Sequence, residues 1–201
     1  MMLVNDIISL SLQLRFTTMQ LLSLSPLTSL SSLTSIICKT CQSNISTLTA
    51  FTGAGAFYVL IMLYQGEEIK KLIPQRDPIM MVDKFYSVDG DIAETGLTLS
   101  ASNFFIEEDG KMAEPGLIEH IAQSASAFAG HKALANSLPT PVGYIGEVKK
   151  FHCYDRPAAG AELRTTIEMG AEVNGVTILA GHTMVDGVKV ADTQMKIFIE
   201  K

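Results

Sequence analysis

Residues 114–130, EPGLIEHIAQSASAFAG, constrain the fold more than any other stretch of the chain. Pro115 suits the first turn of a helix, where a missing N–H costs nothing. Leu117, Ile121, Ala125 and Phe128 recur at helical spacing and form an apolar stripe. Beside it stand Ala122, Ser126, Ala129 and Gly130, where a core-facing helix ordinarily carries Leu. A helix stripped of bulk on one side is expected to lie very close to another backbone. The same helix holds Glu119 and His120 side by side in its first turns, and a carboxylate next to an alanine-rich stripe is desolvated unless it finds a partner. A Glu near a helix N-terminus is also simply stabilising, so position alone leaves a structural and a chemical role open.

The flanking sequence says what the helix packs against. Upstream, EEIKKLI (67–73) reads as a short amphipathic helix stopped by Pro74. IMMVDKFYSV (79–88) then reads as a strand, DGD (89–91) as a turn and IAETGLTLSA (92–101) as the returning strand. The helix is expected to run from 114 to about Asn136, where SLPTP stops it. Only strands follow. VGYIGEVKKFHCY (142–154) is long enough to bulge at Gly146, and Asn174-Gly175 and Asp186-Gly187 are strong type I′ hairpin signals between LRTTIEMGAEV, VTILAGHTMV and VKVADTQMKIFIE. The expected class is α+β, a curved antiparallel sheet wrapped around one long central helix.

Residues 1–65 have a different composition. They are rich in Ser, Thr and Leu, show no clean helical or strand period, and carry only Asp6, Arg15 and Lys39 as charges. The stretch 49–64 is apolar but slightly short for a membrane span, contains two glycines and lacks flanking basic residues. A membrane anchor, a disordered leader and upstream sequence read from too early a start are the three readings. The third is favoured, with the domain proper over 66–201 and a natural beginning near Met62. A cytoplasmic protein is expected, with membrane association through 49–64 disfavoured.

From residue 66 onward the chain carries 20 acidic against 13 basic residues, which argues against nucleic acid as a partner. Cys38 and Cys41 share C-x-x-C spacing but lack a second ligand pair, and Cys153 reads as a strand residue in a reducing compartment. No His/Cys/Asp spacing suggests a metal site, and neither G-x-S-x-G nor a phosphate-binding loop is present. No cofactor is expected. His131, His152 and His182 have weak claims to chemistry, the first lying far along the helix and the others within strands.

Three stretches carry a family resemblance. IKKLIPQRDPIMMVDKF (69–85), PGLIEHIAQSASAFAG (115–130) and GYIGEVKKFHCYDRPAAGAEL (143–163) are similar, in this order, to the opening, the active-site helix and the next long strand of the hotdog-fold 3-hydroxyacyl-ACP dehydratases. The resemblance covers about residues 67–200 and implies a cofactor-independent lyase that removes water from 3-hydroxyacyl-ACP thioesters to give trans-2-enoyl products. It places Glu119 and Gln123 at the family's E-x-x-A-Q positions, with Glu119 as the acid. Backbone N–H groups around Gly116 and Leu117 would polarise the thioester carbonyl, and Phe105 would border the substrate.

The sequence departs from the family at the base. Relatives carry a His in G-H-F-P just after a Phe pair, whereas Phe104-Phe105 is followed here by IEEDGKMAEPG, with Glu108 at the nearest matching position. His120, reaching across a dimer interface, or Glu108 would have to serve. Otherwise the chain is a hotdog thioesterase or a catalytically silent acyl-binding homologue. The resemblance further implies a homodimer or a trimer of dimers. Acyl carrier protein would be the partner, docked on Lys149, Lys150, Arg156 and Lys132.

Overall fold

A computed structural model of the chain describes residues 47–53 and 56–199, with side-chain surroundings from Met62 onward. These residues lie in one compact unit, Asn44–Lys201. Cys38, Cys41 and the reading of residues 1–46 fall outside the described residues. The last part of the Ser/Thr-rich segment, where the sequence shows no strand period, pairs as a hairpin of β1 (Thr47–Gly53) and β2 (Ala56–Met62), with Thr47 opposite Met62. No helix among the described residues is long and apolar enough to cross a membrane.

The main sheet has seven antiparallel strands: β3 (Tyr64–Gln65), β4 (Lys84–Asp89), β5 (Ile92–Thr98), β6 (Gly143–Cys153), β7 (Glu162–Val173), β8 (Val176–Val185) and β9 (Val188–Ile199). Their spatial order is β3-β4-β5-β7-β8-β9-β6, so the long β6 closes the sheet as an edge. One helix, α1 (Glu114–Ala135), packs against the concave side, and a 3₁₀ turn over Gly66–Lys71 precedes the sheet. The two predicted hairpin turns form as expected. Asn174 and Gly175 (φ 52° and 77°) and Asp186 and Gly187 (φ 50° and 78°) all adopt the left-handed conformation a type I′ turn requires. The register of β6 on β9 shifts at Ile145/Glu147, which makes Gly146 a bulge, and again at Lys149/His152. Such bulges bend a strand and let a sheet curl round a helix.

Period-two alternation directs Leu163, Thr165, Ile167 and Met169 of β7 inward, onto the helix stripe Leu117, Ile121, Ala125 and Phe128. Those four helix residues are all at most 2% exposed, and each large apolar side chain so buried contributes about 1.5–3 kcal/mol. The sheet yields to the helix at Gly181, where a Cβ would lie 2.5 Å from Ile121 Cγ2.

Two expectations need correction. The strand foreseen over 79–88 begins only at Lys84, because Ile79 and Met81 bond to helix side chains instead of to a neighbouring strand. The close backbone neighbour of α1 is also not the sheet. A Cβ on Gly130 would stand 1.8 Å from Leu72 O, so the glycine admits the chain leaving the 3₁₀ turn. Ala122, Ser126 and Ala129 are only half-buried and face a cavity.

Candidate active site

That cavity, of about 260 Å³, runs between α1 and the β6 edge of the sheet. Its floor is the small-residue stripe Ala122, Ser126 and Ala129. Its far wall is Tyr144 and Ile145 of β6 with Ile197 and Ile199 of β9. Glu119 and Gln123 stand beside the floor on α1, one helical turn apart. The starved side of the helix therefore borders a cavity rather than a backbone. The space is mostly apolar, with one carboxylate inside it.

Gln123 is fully buried, and its amide orientation is fixed by partners that allow no flip. Oε1 accepts the Met81 N–H at 2.7 Å, while Nε2 donates to Ile79 O and to Glu119 Oε1, each at 2.7 Å. The Glu119 carboxylate is thus oriented through one oxygen, which leaves Oε2 to meet a substrate.

His120 points the other way. Adjacent helix residues diverge by about 100°, and this turn carries the imidazole under the sheet, where it is 0% exposed. Nδ1 is hydrogen-bonded to Met81 O and Nε2 to Thr165 Oγ1 at 2.7 Å. Burial pushes its pKa down to about 4, against the opposing pull of the Met81 carbonyl, Asp83 and Glu162. A ring so enclosed does not reach a second chain's carboxylate, so the expected base lies inside the core.

The loop before the helix places the other candidates. Gly116 is buried under Phe105 and Met112, whose atoms lie 2.6 and 2.8 Å from where its Cβ would be. Its N–H already donates to Ala113 O at 2.9 Å, and Leu117 is fully buried in the core. Phe105 packs against the core cluster containing Met112 and Leu117 and is not among the cavity residues. Glu108 is exposed on the loop, also away from the cavity lining.

Of the cations foreseen for docking, Arg156 has another role. It donates to Met112 O (2.9 Å), Asp109 Oδ2 (2.8 Å) and Glu107 Oε2 (2.5 Å), clamping the loop 107–112 that leads into the helix. Lys132 pairs with Asp91 at 2.9 Å near the far end of α1 and lies over the Phe128 ring. Lys149 is 3.6 Å from Glu147, and Lys150 is exposed at the β6 bulge with φ 50°.

Burial, and then the charges of Glu114 and Asp155, push the Cys153 thiol upward, away from nucleophilic use. Among the described residues, no group of three or more His, Cys, Asp or Glu is placed to hold a metal ion. Sequence reasoning missed Tyr144 and Gln75 as cavity residues.

Known proteins resemble the chain in sequence family and in fold. The family described as ApeP dehydratase, ApeP-like, matches residues 67–201. The 3-hydroxyacyl-[acyl-carrier-protein] dehydratase FabZ of Rhizobium etli (strain CIAT 652) is 40% identical over 70 residues, 32% of this chain and 45% of that protein. The chain thus spans about half the length of this curated relative. In structure the chain is similar to the dehydratase heterocomplex ApeI:P from Xenorhabdus doucetiae, with TM-score 0.62 and 14% identity over 66% of this chain and 91% of that one. It is also similar to Cj0977, a sigma28-regulated virulence protein from Campylobacter jejuni, with TM-score 0.51 and 12% identity over 66% and 96%. A single long helix inside a seven-stranded antiparallel sheet, with matching solved structures, is the hotdog fold. With the family match spanning everything from the 3₁₀ turn to the C-terminus, the chain belongs to the ApeP-like dehydratase family.

Proposed function

We propose that the chain is a dehydratase subunit for 3-hydroxyacyl thioesters carried on acyl carrier protein, in which Glu119 is the general acid. The observation that carries this reading is a single carboxylate, held through one oxygen by Gln123, at the edge of a mostly apolar cavity. In the reaction a base removes the α-proton, the C–H electrons become the Cα=Cβ bond, and the 3-hydroxyl leaves as water with the proton of Glu119. The proton on the base then returns to the carboxylate, so no cofactor is consumed.

The cavity holds no second carboxylate and no histidine of this chain. The base is accordingly proposed to come from a second subunit seated along the β6 edge. Tyr144, Ile145 and Val148 are 59%, 40% and 38% exposed there, and an eleven-residue edge strand that pairs only with β9 among the described residues is a ready surface for another sheet. Tyr144 and Ile145 also line the cavity, so a chain on that edge would border the substrate. The relative in Xenorhabdus doucetiae is a heterocomplex, which supports a different second chain in preference to a homodimer. Acyl carrier protein, which is acidic, would approach the exposed Lys149 and Lys150 on the same strand.

Mass spectrometry of a 3-hydroxyacyl-ACP incubation tests the reading. Loss of one water's mass in the presence of a histidine-bearing hotdog partner, abolished by Glu119→Gln, is the expected result. Loss of the acyl group would indicate thioester hydrolysis, and an unchanged substrate an acyl-binding role.

A further inference from the structure

Five residues, from one irregular segment and three elements, form a polar chain through the core beside the candidate site. Met81 lies in the irregular segment between the 3₁₀ turn and β4, and both of its backbone polar groups are bonded to side chains of α1. Its N–H donates to Gln123 Oε1, and its carbonyl is bonded to His120 Nδ1. Behind the imidazole, Thr165 of β7 and Thr183 of β8 continue the chain at 2.7 and 2.8 Å. His120, Thr165 and Thr183 are all 0% exposed.

The direction of every proton in the chain follows from the acceptors. A carbonyl only accepts, so His120 Nδ1 carries the hydrogen. In the neutral ring Nε2 then accepts, and Thr165 must donate to it. With its own proton so placed, Thr165 accepts from Thr183. The order is Thr183 to Thr165 to His120 to the Met81 carbonyl, and from the Met81 N–H to Gln123, whose amide donates to Glu119. Each bond fixes the next, and the chain ends on the carboxylate proposed as the acid.

We infer that His120 is a positioning residue for Glu119, acting through the Met81 peptide and the Gln123 amide, with a neutral imidazole of fixed tautomer. This inference deepens the dehydratase reading and rests on it for its kinetic part. The Met81 peptide has no sheet ladder to hold it, because β4 begins only at Lys84. Without the imidazole its carbonyl would be a buried acceptor lacking a donor, and the segment would shift to find one. A shift there moves the Met81 N–H and Ile79 O, the two groups that orient Gln123. The charged groups nearest the ring are Asp83 and Glu162, and both favour the imidazolium, yet burial outweighs them.

Two substitutions separate positioning from proton transfer. The side-chain amide of Asn can place a donor near the Nδ1 position but cannot take up a proton, whereas Ala supplies neither. His120→Asn should keep turnover within about 3-fold of the parent, while His120→Ala should lower kcat by about 10- to 100-fold and leave KM nearly unchanged. Equal loss in both variants would overturn the inference and return the base role to His120. A second measurement needs no activity. Nitrogen-15 NMR of the full chain should show His120 as the Nδ1–H tautomer without titration between about pH 5 and 8, and a slowly exchanging Gln123 side-chain amide. That amide should stay protected in His120→Asn and lose protection in His120→Ala. An imidazole that titrates in this range, or a Gln123 amide indifferent to both substitutions, would overturn the inference even if no thioester substrate were turned over. Should the NMR results hold while wild-type protein together with its histidine-bearing partner releases no water from any thioester, the dehydratase reading fails and the polar chain stands.

Discussion

Gln123 lies one helical turn beyond Glu119 and donates its amide to the Glu119 carboxylate at 2.7 Å, while its own oxygen is held at 2.7 Å by the Met81 N–H. The contact ties the candidate acid to the core. A carboxylate on a helix surface would otherwise choose among several rotamers, at a cost in every turnover.

Replacing Gln123 by Leu keeps volume and apolarity but leaves the buried Met81 N–H without an acceptor. Stability should fall by about 1–3 kcal/mol, read as a lower urea midpoint with unchanged slope. Turnover should fall too, because Glu119 loses its donor. A variant with parental stability would mean that the Met81 peptide finds another partner.

Acid should destabilise the protein through His120. Its pKa is about 4 in the folded chain against 6.5 for the free side chain, so between these values the unfolded state binds a proton that the folded state refuses. Stability is therefore complete above about pH 6.5, falls as pH drops toward 4, and loses about 3 kcal/mol in all from this group. The carboxylates of Glu162 and Asp192, held below their ordinary range, add losses at lower pH. Urea unfolding of His120→Asn across the same range isolates the histidine: the difference between parent and variant should change with slope about 1.4 kcal/mol per pH unit. Parallel curves would contradict a buried neutral imidazole.

Gly130→Ala should be destabilising although Ala is the better helix former by about 1 kcal/mol. The added methyl would lie 1.8 Å from the Leu72 carbonyl oxygen, a backbone atom that cannot swing aside. Overpacking of this kind costs about 1–3 kcal/mol or more, enough to reverse the propensity gain. A raised melting temperature would show that the 3₁₀ turn does not sit against the helix there.

Charge reversal at Lys149 and Lys150 should raise KM for ACP-bound substrates about 10-fold while sparing short cysteamine thioesters. Reversal at Arg156 should instead lower stability, because its guanidinium bridges Glu107, Asp109 and the Met112 carbonyl. Equal losses on both substrate types would remove Lys149 and Lys150 from the docking surface.

The architecture was written in local signals. Asn174-Gly175 and Asp186-Gly187 set two hairpins through backbone conformations that other residues resist, and the 3.6-residue stripe Leu117, Ile121, Ala125 and Phe128 set the helix and its buried face. Glu119 and Gln123, at i and i+4, were bound to be neighbours on any helix. What they face was not so determined. The small residues Ala122, Ser126 and Ala129 fit equally well under a backbone or beside a cavity, and only the position of β6 at the sheet edge decided for the cavity. His120 likewise carried no mark of its role, because whether an imidazole meets solvent or a core depends on Met81 and Thr165, 39 and 45 residues away in the chain. Periodicity and turn chemistry act over a few residues and can be read in order. Burial and hydrogen-bond partnership are settled between distant segments, and only the folded chain brings those together.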